Sequence, residues 1–220
     1  IDNIKTHQGK CMKKESLSYH HGNLRRALID TALEIIGEHG VKALSIREVA
    51  KKAGVSHAAP YRHFKDKDDL LSAVAIEGFD MVIQDTLERF ERYRDNPLER
   101  FRQSGLAYID FAAAHPSHYR VMFSSCEQNV TDGVDKHSRE AFMILYTSIA
   151  ECQEKKLVRT QDTFELAMAA WSLVHGYAML VIDGFIKDPS DRLKYVITDA
   201  LFRGLRDETH HNDKQGGNHV

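Results

Sequence analysis

The sequence predicts an all-α protein, and three observations carry that prediction. Nearly every long segment repeats its apolar residues at helical spacing. The segments are separated by helix-capping residues, Gly and Pro. Convincing alternation of apolar and polar residues, which would indicate strands, is absent from the sequence. We expect about nine helices, three short ones in front and five or six longer ones behind them.

The front of the chain carries the start and stop signals of short helices. Gly40 ends a first amphipathic helix. Ser45 and Glu48 form a capping box, which starts a second helix because the serine oxygen accepts from the amide three residues on. Gly54 then supplies a turn that needs a positive φ. Ser56 is a ready N-cap for a third helix.

Two short helices joined by Gly-Val-Ser form the pattern of a helix-turn-helix, predicted over about 45–64. The second helix of such a motif enters the DNA major groove with its N-terminal residues near base edges. Alanines there can touch a thymine methyl, while aromatic and basic side chains can reach phosphates. An ordinary helical hairpin is the alternative. The predicted DNA-binding residues are Ser45, Arg47, Ser56, His57, Ala58, Ala59, Tyr61, Arg62, His63 and Lys67.

A proline interrupts the predicted recognition helix. If Ser56 caps this helix, Pro60 is its fourth helical residue, and its missing N–H removes one bond to the Ser56 carbonyl. Proline also disfavours the αR conformation of Ala59, the residue before it. We therefore expect the helix to start late or to tighten its first turn.

Charge is divided unevenly along the chain, although the net charge is only −2. Residues 1–67 carry 13 Lys and Arg against 7 Asp and Glu, whereas residues 68–220 carry 17 against 25. A basic front followed by an acidic rear indicates that the front meets a polyanion. The alternative is that this charge distribution has no function, and charge alone does not decide between the two.

The rear of the chain reads as a longer helical domain. We predict a disordered segment at 1–19, a helix-turn-helix domain at 20–66, a helical domain at 67–207 and a disordered tail at 208–220. Asn96-Pro97 and Asp162 supply helix starts. The helices are predicted at about 67–93, 97–115, 116–123, 134–157, 162–186 and 190–206, with a loop at 124–133.

Residues 22–71 resemble the DNA-binding domain of the tetracycline-repressor-like (TetR) transcriptional regulators. The resemblance is carried by Tyr-Arg-His-Phe at 61–64, followed by Lys67 and two leucines at 70–71. Many members have leucine before the tyrosine, where this chain has Pro60. Further along, Trp-Ser-Leu-Val-His-Gly at 171–176, with His-Pro-Ser-His-Tyr-Arg upstream, is similar to the subgroup named for a Trp-His-Gly motif.

The resemblance implies a homodimer that binds double-stranded DNA and a small molecule. The last two helices, about 162–186 and 190–206, would form the dimer interface, and the operator would be a pseudo-palindrome. The most direct expectation is a repressor released by a small apolar effector; an activator, or a protein without a ligand or controlled by a partner, is the alternative. For each predicted pocket residue, plain core packing also stays open. The predicted ligand-pocket residues are Phe79, Tyr108, Phe111, Tyr119, Met122, Phe123, Phe142, Tyr146, Trp171 and His175.

Other classes of function find little support in the sequence. Neither a catalytic motif nor a metal-ligand spacing is present, so we expect no enzyme activity, no cofactor and no metal. Cys11, Cys126 and Cys152 lie far apart, which is typical of a reducing cytoplasm. A redox role for Cys126 is a minor alternative. We identify no apolar run of membrane-spanning length, and therefore expect no membrane partner.

Overall fold

The computed structural model describes residues 24–124, 131–187 and 191–205, and regular structure within them is helical throughout. One-turn 3-10 helices lie at Val41–Ala43 and Pro60–Arg62. The predicted disordered ends, and residues 125–130 of the predicted loop, fall outside the described residues. The α-helices are α1 (Leu24–His39), α2 (Ile46–Lys52), α3 (Lys67–Arg92), α4 (Pro97–Ala114), α5 (Pro116–Ser124), α6 (Asp132–Glu154), α7 (Thr163–Ile182) and α8 (Asp191–Leu205).

Local side-chain caps set where several of these helices begin. Ser45, Asp66, Asn96 and Asp162 each accept a hydrogen bond from the backbone N–H three residues on, at 2.9–3.2 Å. Each bond satisfies one of the amide groups that a helix start leaves without an intrahelical acceptor. The predicted starts of α2, α3, α4 and α7 are therefore confirmed.

The front helices and the first rear helices share one hydrophobic core. Leu28 of α1, Val49 of α2 and Phe64 are each at most 2% exposed. They belong to the same cluster as Val74 of α3 and Val121 of α5. The front helices thus pack directly on the rear ones, and α3 runs continuously from one to the other.

The rear domain is built around α4, which packs against α3, α5, α6, α7 and α8. A second cluster of buried side chains joins α4, α6, α7 and α8 near Phe101 and Phe202, whose rings lie 5.0 Å apart. The space that these helices leave between the two clusters contains the cavity described below.

One helix corrects the sequence analysis. By length and composition, α7 is apolar enough to cross a membrane, whereas we expected no apolar run of that length from the sequence. In the structure it packs against α4, α6 and α8. Part of its apolar surface stays exposed in this chain, including Leu173 and Leu180.

Candidate functional site

The turn that follows α2 has the predicted geometry. Gly54 has a φ of +70°, which a residue with a side chain rarely adopts. Val55 N–H donates to the Ala50 carbonyl at 3.0 Å, and Ala50 is fully buried. The small side chain at position 50 and the glycine at position 54 therefore let the chain reverse close to α2.

The predicted recognition helix is not an α-helix, and the prediction of a Ser56 cap is wrong. Ala59 N–H donates to the Ser56 carbonyl at 3.0 Å, and His63 N–H donates to the Pro60 carbonyl at 2.9 Å. These are bonds between residues three apart, as in a 3-10 helix. Pro60 has no N–H with which to make the α-helical bond to Ser56, so the turn tightens as expected. Ala59 nevertheless keeps αR backbone angles, φ −62° and ψ −44°, against our expectation.

The segment after the turn presents most of the predicted DNA-binding residues to solvent. Pro60 is buried, and its neighbour Tyr61 is 55% exposed. Two predicted contacts make structural bonds within the chain: Ser45 caps α2, and Lys67 Nζ donates to the Val41 carbonyl at 3.2 Å. Ser45, Ala59 and Lys67 are half-buried, and the exposed ones are Arg47, Ser56, His57, Ala58, Tyr61, Arg62 and His63.

A cavity of about 460 Å³ lies between the helices of the rear domain. Side chains of all helices from α3 to α8 line it, and most of them are apolar. Six of the ten predicted pocket residues are brought together there. They are Phe79, Tyr108, Met122, Phe123, Phe142 and Trp171.

The other four predicted pocket residues do not line this cavity. Tyr119 is fully buried behind Tyr108, and His175 contacts both of these rings. Phe111 faces a shallow groove between α3 and α4. Tyr146 packs against the second core cluster.

A hydrogen-bonded cluster forms one wall of the cavity. Trp171 Nε1 donates to the Tyr108 hydroxyl at 3.1 Å. That hydroxyl lies 3.0 Å from the hydroxyl of Tyr119 and 2.8 Å from Nδ1 of His175. The Tyr119 hydroxyl is 2.7 Å from the same nitrogen. Aromatic side chains that carry a polar atom are thus paired with one another, as buried ones usually are.

Burial favours the uncharged forms of the titratable members of this cluster. It raises the pKa of Tyr108 to about 12 and raises the pKa of Tyr119 as well. It lowers the pKa of His175, because the charged imidazolium loses its hydration. This cluster therefore offers hydrogen-bond donors and acceptors without a formal charge of its own.

Several polar residues of the cavity wall were missed by the sequence analysis. Asp135 and Arg139 lie at its side, where Arg139 Nε donates to Asp135 Oδ2 at 3.0 Å. Their four-residue spacing is that of an ordinary surface ion pair on a helix, so nothing in the sequence marked them. The hydroxyl residues missed in the same way are Thr86, Ser104, Ser138 and Thr198.

A close approach of two helices lies beside the cavity. A Cβ placed on Gly78 of α3 would lie only 2.6 Å from Sδ of Met122 on α5. Met122 is 3% exposed and lines the cavity. The glycine thus lets a cavity side chain rest directly on the backbone of α3.

Clusters of His, Cys, Asp or Glu that could hold a metal ion are not found within residues 24–124, 131–187 and 191–205. Cys152 is buried, and burial raises the pKa of its thiol to about 11. Cys11 and Cys126, and with Cys126 the alternative redox role, lie outside the described residues.

Two family models match the chain, one for each part of this architecture. Residues 28–74 match the bacterial regulatory proteins of the tetR family. Residues 101–201 match the tetracyclin repressor-like C-terminal domain. The chain belongs to the TetR family. The Trp-His-Gly subgroup is not distinguished by these matches and stays a prediction.

Two solved structures share the fold of this chain. A Rhodococcus sp. RHA1 protein of unknown function has 30% identity and a TM-score of 0.76, over 87% of this chain and 100% of its own. AibR, solved with isovaleryl coenzyme A and operator DNA, shows the same fold at 21% identity and a TM-score of 0.64, over 82% and 96%.

A curated relative matches over a shorter stretch. The class D tetracycline repressor of Escherichia coli is 34% identical over 95 residues, which is 41% of this chain and 44% of that protein. This match therefore spans less than half the length of the tetracycline repressor.

Proposed function

We propose that the chain is a cytoplasmic, sequence-specific transcriptional repressor that binds a pseudo-palindromic operator as a homodimer and is released by a small, largely apolar effector. The observation that carries the proposal is the exposed segment after the Gly54 turn, held on a buried core beside α3. The proposal assigns the chain no catalytic role.

The exposed segment has the chemistry of a DNA-reading surface. Arg62 can contact a phosphate, and Tyr61 and His63, which flank it in sequence, are exposed as well. His57 and Ala58 precede the buried Pro60 and face solvent, where they can approach base edges. The buried proline anchors the segment, so these side chains are presented from a rigid turn.

The apolar surface of α7 and α8 supports the homodimer. Leu173 and Leu180 of α7 are 39% and 46% exposed, and Leu193 and Val196 of α8 are 36% and 52% exposed. A second copy that packs on these helices would form a four-helix bundle and bury that surface. The apolar composition of α7 is then explained by a protein interface and not by a membrane. The dimer then presents two reading surfaces to half-sites about one DNA turn, ~34 Å, apart.

The cavity supports control by a ligand over the alternative of a ligand-independent DNA-binding protein. Phe79 and Thr86 of α3 line it, and the same helix begins at Lys67, beside the reading surface. A ligand that prefers one tilt of α3 would change the separation of the two reading surfaces. AibR, on a similar fold, forms a complex with both isovaleryl coenzyme A and operator DNA, which is consistent with this coupling. Activation through the same surface is the second candidate.

A gel-shift experiment with the purified protein and the DNA upstream of its own gene tests the proposal. We expect a complex that is lost with shuffled DNA and weakens with salt. Arg62→Ala should reduce the slope of log affinity against log salt by about 1 if Arg62 contacts a phosphate. Lys136→Ala, on an exposed position of α6, is the control and should leave the slope unchanged. If the protein forms no salt-sensitive, sequence-selective complex with this DNA, the proposal is refuted.

A further inference from the structure

Four side chains meet at the cavity wall, and two of them face the cavity. Trp171 and Tyr108 line it, whereas Tyr119 and His175 stand behind them. The two hydroxyls and His175 Nδ1 lie 2.7–3.0 Å from one another. The indole N–H of Trp171 can only donate, and it donates to Tyr108.

The protons of this cluster form one chain. When His175 is neutral with its proton on Nε2, Nδ1 accepts a hydrogen bond that Tyr119 can donate. Tyr108 then donates to Tyr119, and Trp171 donates to Tyr108. The alternative, in which Tyr108 donates to His175, converts into this chain when the two hydroxyls rotate. Tyr108 is the donor that can turn toward the cavity while Trp171 and Tyr119 keep their acceptors.

The other hydroxyl side chains of the wall have their protons committed. Each donates to a carbonyl of its own helix, three or four residues earlier, at 2.7–3.1 Å. Among the described residues of the wall, Tyr108 is the hydroxyl that donates to another side chain and not to a carbonyl of its own helix, so a ligand oxygen can compete with Tyr119 for its proton. The committed hydroxyls are Thr86, Ser104, Ser138 and Thr198.

Formal charges in the described part of the wall cancel. Asp135 and Arg139 are its charged residues, they pair with each other, and their side chains are 46% and 75% exposed. Neither provides an unmatched positive charge inside the cavity. Burying a carboxylate there costs far more than one hydrogen bond returns.

We propose that the cavity binds a neutral, largely apolar molecule with one carbonyl oxygen, and that the Tyr108 hydroxyl donates to that oxygen. The inference rests on the effector role proposed for this cavity, and it names the class of effector. Ketones, esters, thioesters and amides share the required oxygen. A volume of about 460 Å³ is within the range of small-molecule sites.

The chain's only tryptophan, Trp171, lies in the cavity wall and reports occupancy by its fluorescence. The test titrates the full chain at neutral pH with methyl octyl ketone and with decanoate, which have similar apolar length. We expect the ketone to quench Trp171 with at least about tenfold higher affinity than decanoate. Tyr108→Phe should weaken ketone binding about fivefold, the effect of one neutral hydrogen bond. Tyr146→Phe, whose hydroxyl does not line the cavity, should leave it unchanged.

Three results would overturn the inference: decanoate binding as tightly as the ketone, unchanged ketone binding by Tyr108→Phe, or quenching by neither probe. Thermal unfolding checks that Tyr108→Phe is folded; if it is not, the comparison of ketone with decanoate on the unsubstituted protein decides. If the titration shows no preference for the ketone, the gel-shift result for operator binding is unaffected. If the gel shift shows no operator binding, the titration still measures which ligand the cavity prefers. The two proposals are therefore separable.

Discussion

Replacing Gly78 by Ala tests how tightly α5 rests on α3. The new Cβ would lie 2.6 Å from Sδ and 3.0 Å from Cγ of Met122, whereas ordinary van der Waals contact begins near 3.4 Å. Met122 is buried and has the cavity on one side. We therefore expect the substitution to push the Met122 side chain toward the cavity and to reduce the space for a ligand.

Two opposing effects set the magnitude. Alanine favours a helix over glycine by about 1 kcal/mol. Displacing the buried Met122 side chain from its packed position costs about 1–3 kcal/mol. The difference predicts a loss of about 1 kcal/mol in the free energy of unfolding, or a fall of about 3 °C in Tm for a chain of this size.

Gly37→Ala is the matched control, because Gly37 is also a helical glycine but its nearest neighbour is mobile. A Cβ there would meet Ser117 Oγ at 3.1 Å, and a hydroxyl can rotate away. We expect this variant to gain up to about 1 kcal/mol. Thermal and denaturant unfolding at one fixed protein concentration measure both variants, and ketone titration measures the cavity. If Gly78→Ala stabilised the protein as much as Gly37→Ala, the close packing of α5 on α3 would be refuted.

Three further predictions concern the front domain and pH. Ser45→Ala should lower the free energy of unfolding by about 1 kcal/mol, because it removes the cap of α2. Ser56→Ala should leave it nearly unchanged, since Ser56 caps no helix. Urea unfolding of the two variants compares these effects. Pro60→Leu restores an N–H that can reach the Ser56 carbonyl, so circular dichroism should show more helix and operator affinity should change severalfold, with fold and dimer kept. Burial lowers the pKa of His118 and of His175 below the usual 6.5, so the unfolded state binds more protons and Tm should fall as the pH drops from about 7.5 to about 5.5.

Clear outcomes would contradict each of these. Equal losses for Ser45→Ala and Ser56→Ala would restore the predicted cap at Ser56. Unchanged operator binding by Pro60→Leu would mean that the proline is only tolerated. For the pH effect, His118→Gln should flatten the decline of Tm; a decline of the same slope in that variant would assign it to other groups.

The sequence predicted best the features that depend on neighbouring residues. A cap needs one polar side chain and the amide three residues later, so Asn96 and Asp162 could be recognised directly. Pro60 is also local, and the tightened turn was foreseen. The loss of the α-helix was not expected, because the missing N–H of Pro60 removes only one bond; the proline ring also clashes with the carbonyl four residues earlier.

Features that depend on distant contacts were predicted only in part. Helical spacing assigns Tyr119 and His175 to inward faces but does not say which neighbouring helix each meets, so residues of the second layer were assigned to the cavity wall. Lys67 matched the pattern of DNA-binding residues, yet it bonds a carbonyl 26 residues away. That contact exists only once α3 has packed beside the Val41–Ala43 turn.

Because α1 and α5 share one core, the front helices and the rear domain of this protein are not independent modules. A chimera that joins its front helices to the rear domain of another regulator would cut through the packing of Leu28 and Val121. Such a chimera would have to keep the buried residues of α5 together with the front helices, although α5 lies within the predicted rear domain. If the exposed segment around Tyr61 reads DNA as proposed, substitutions there would change DNA specificity without altering the shared core.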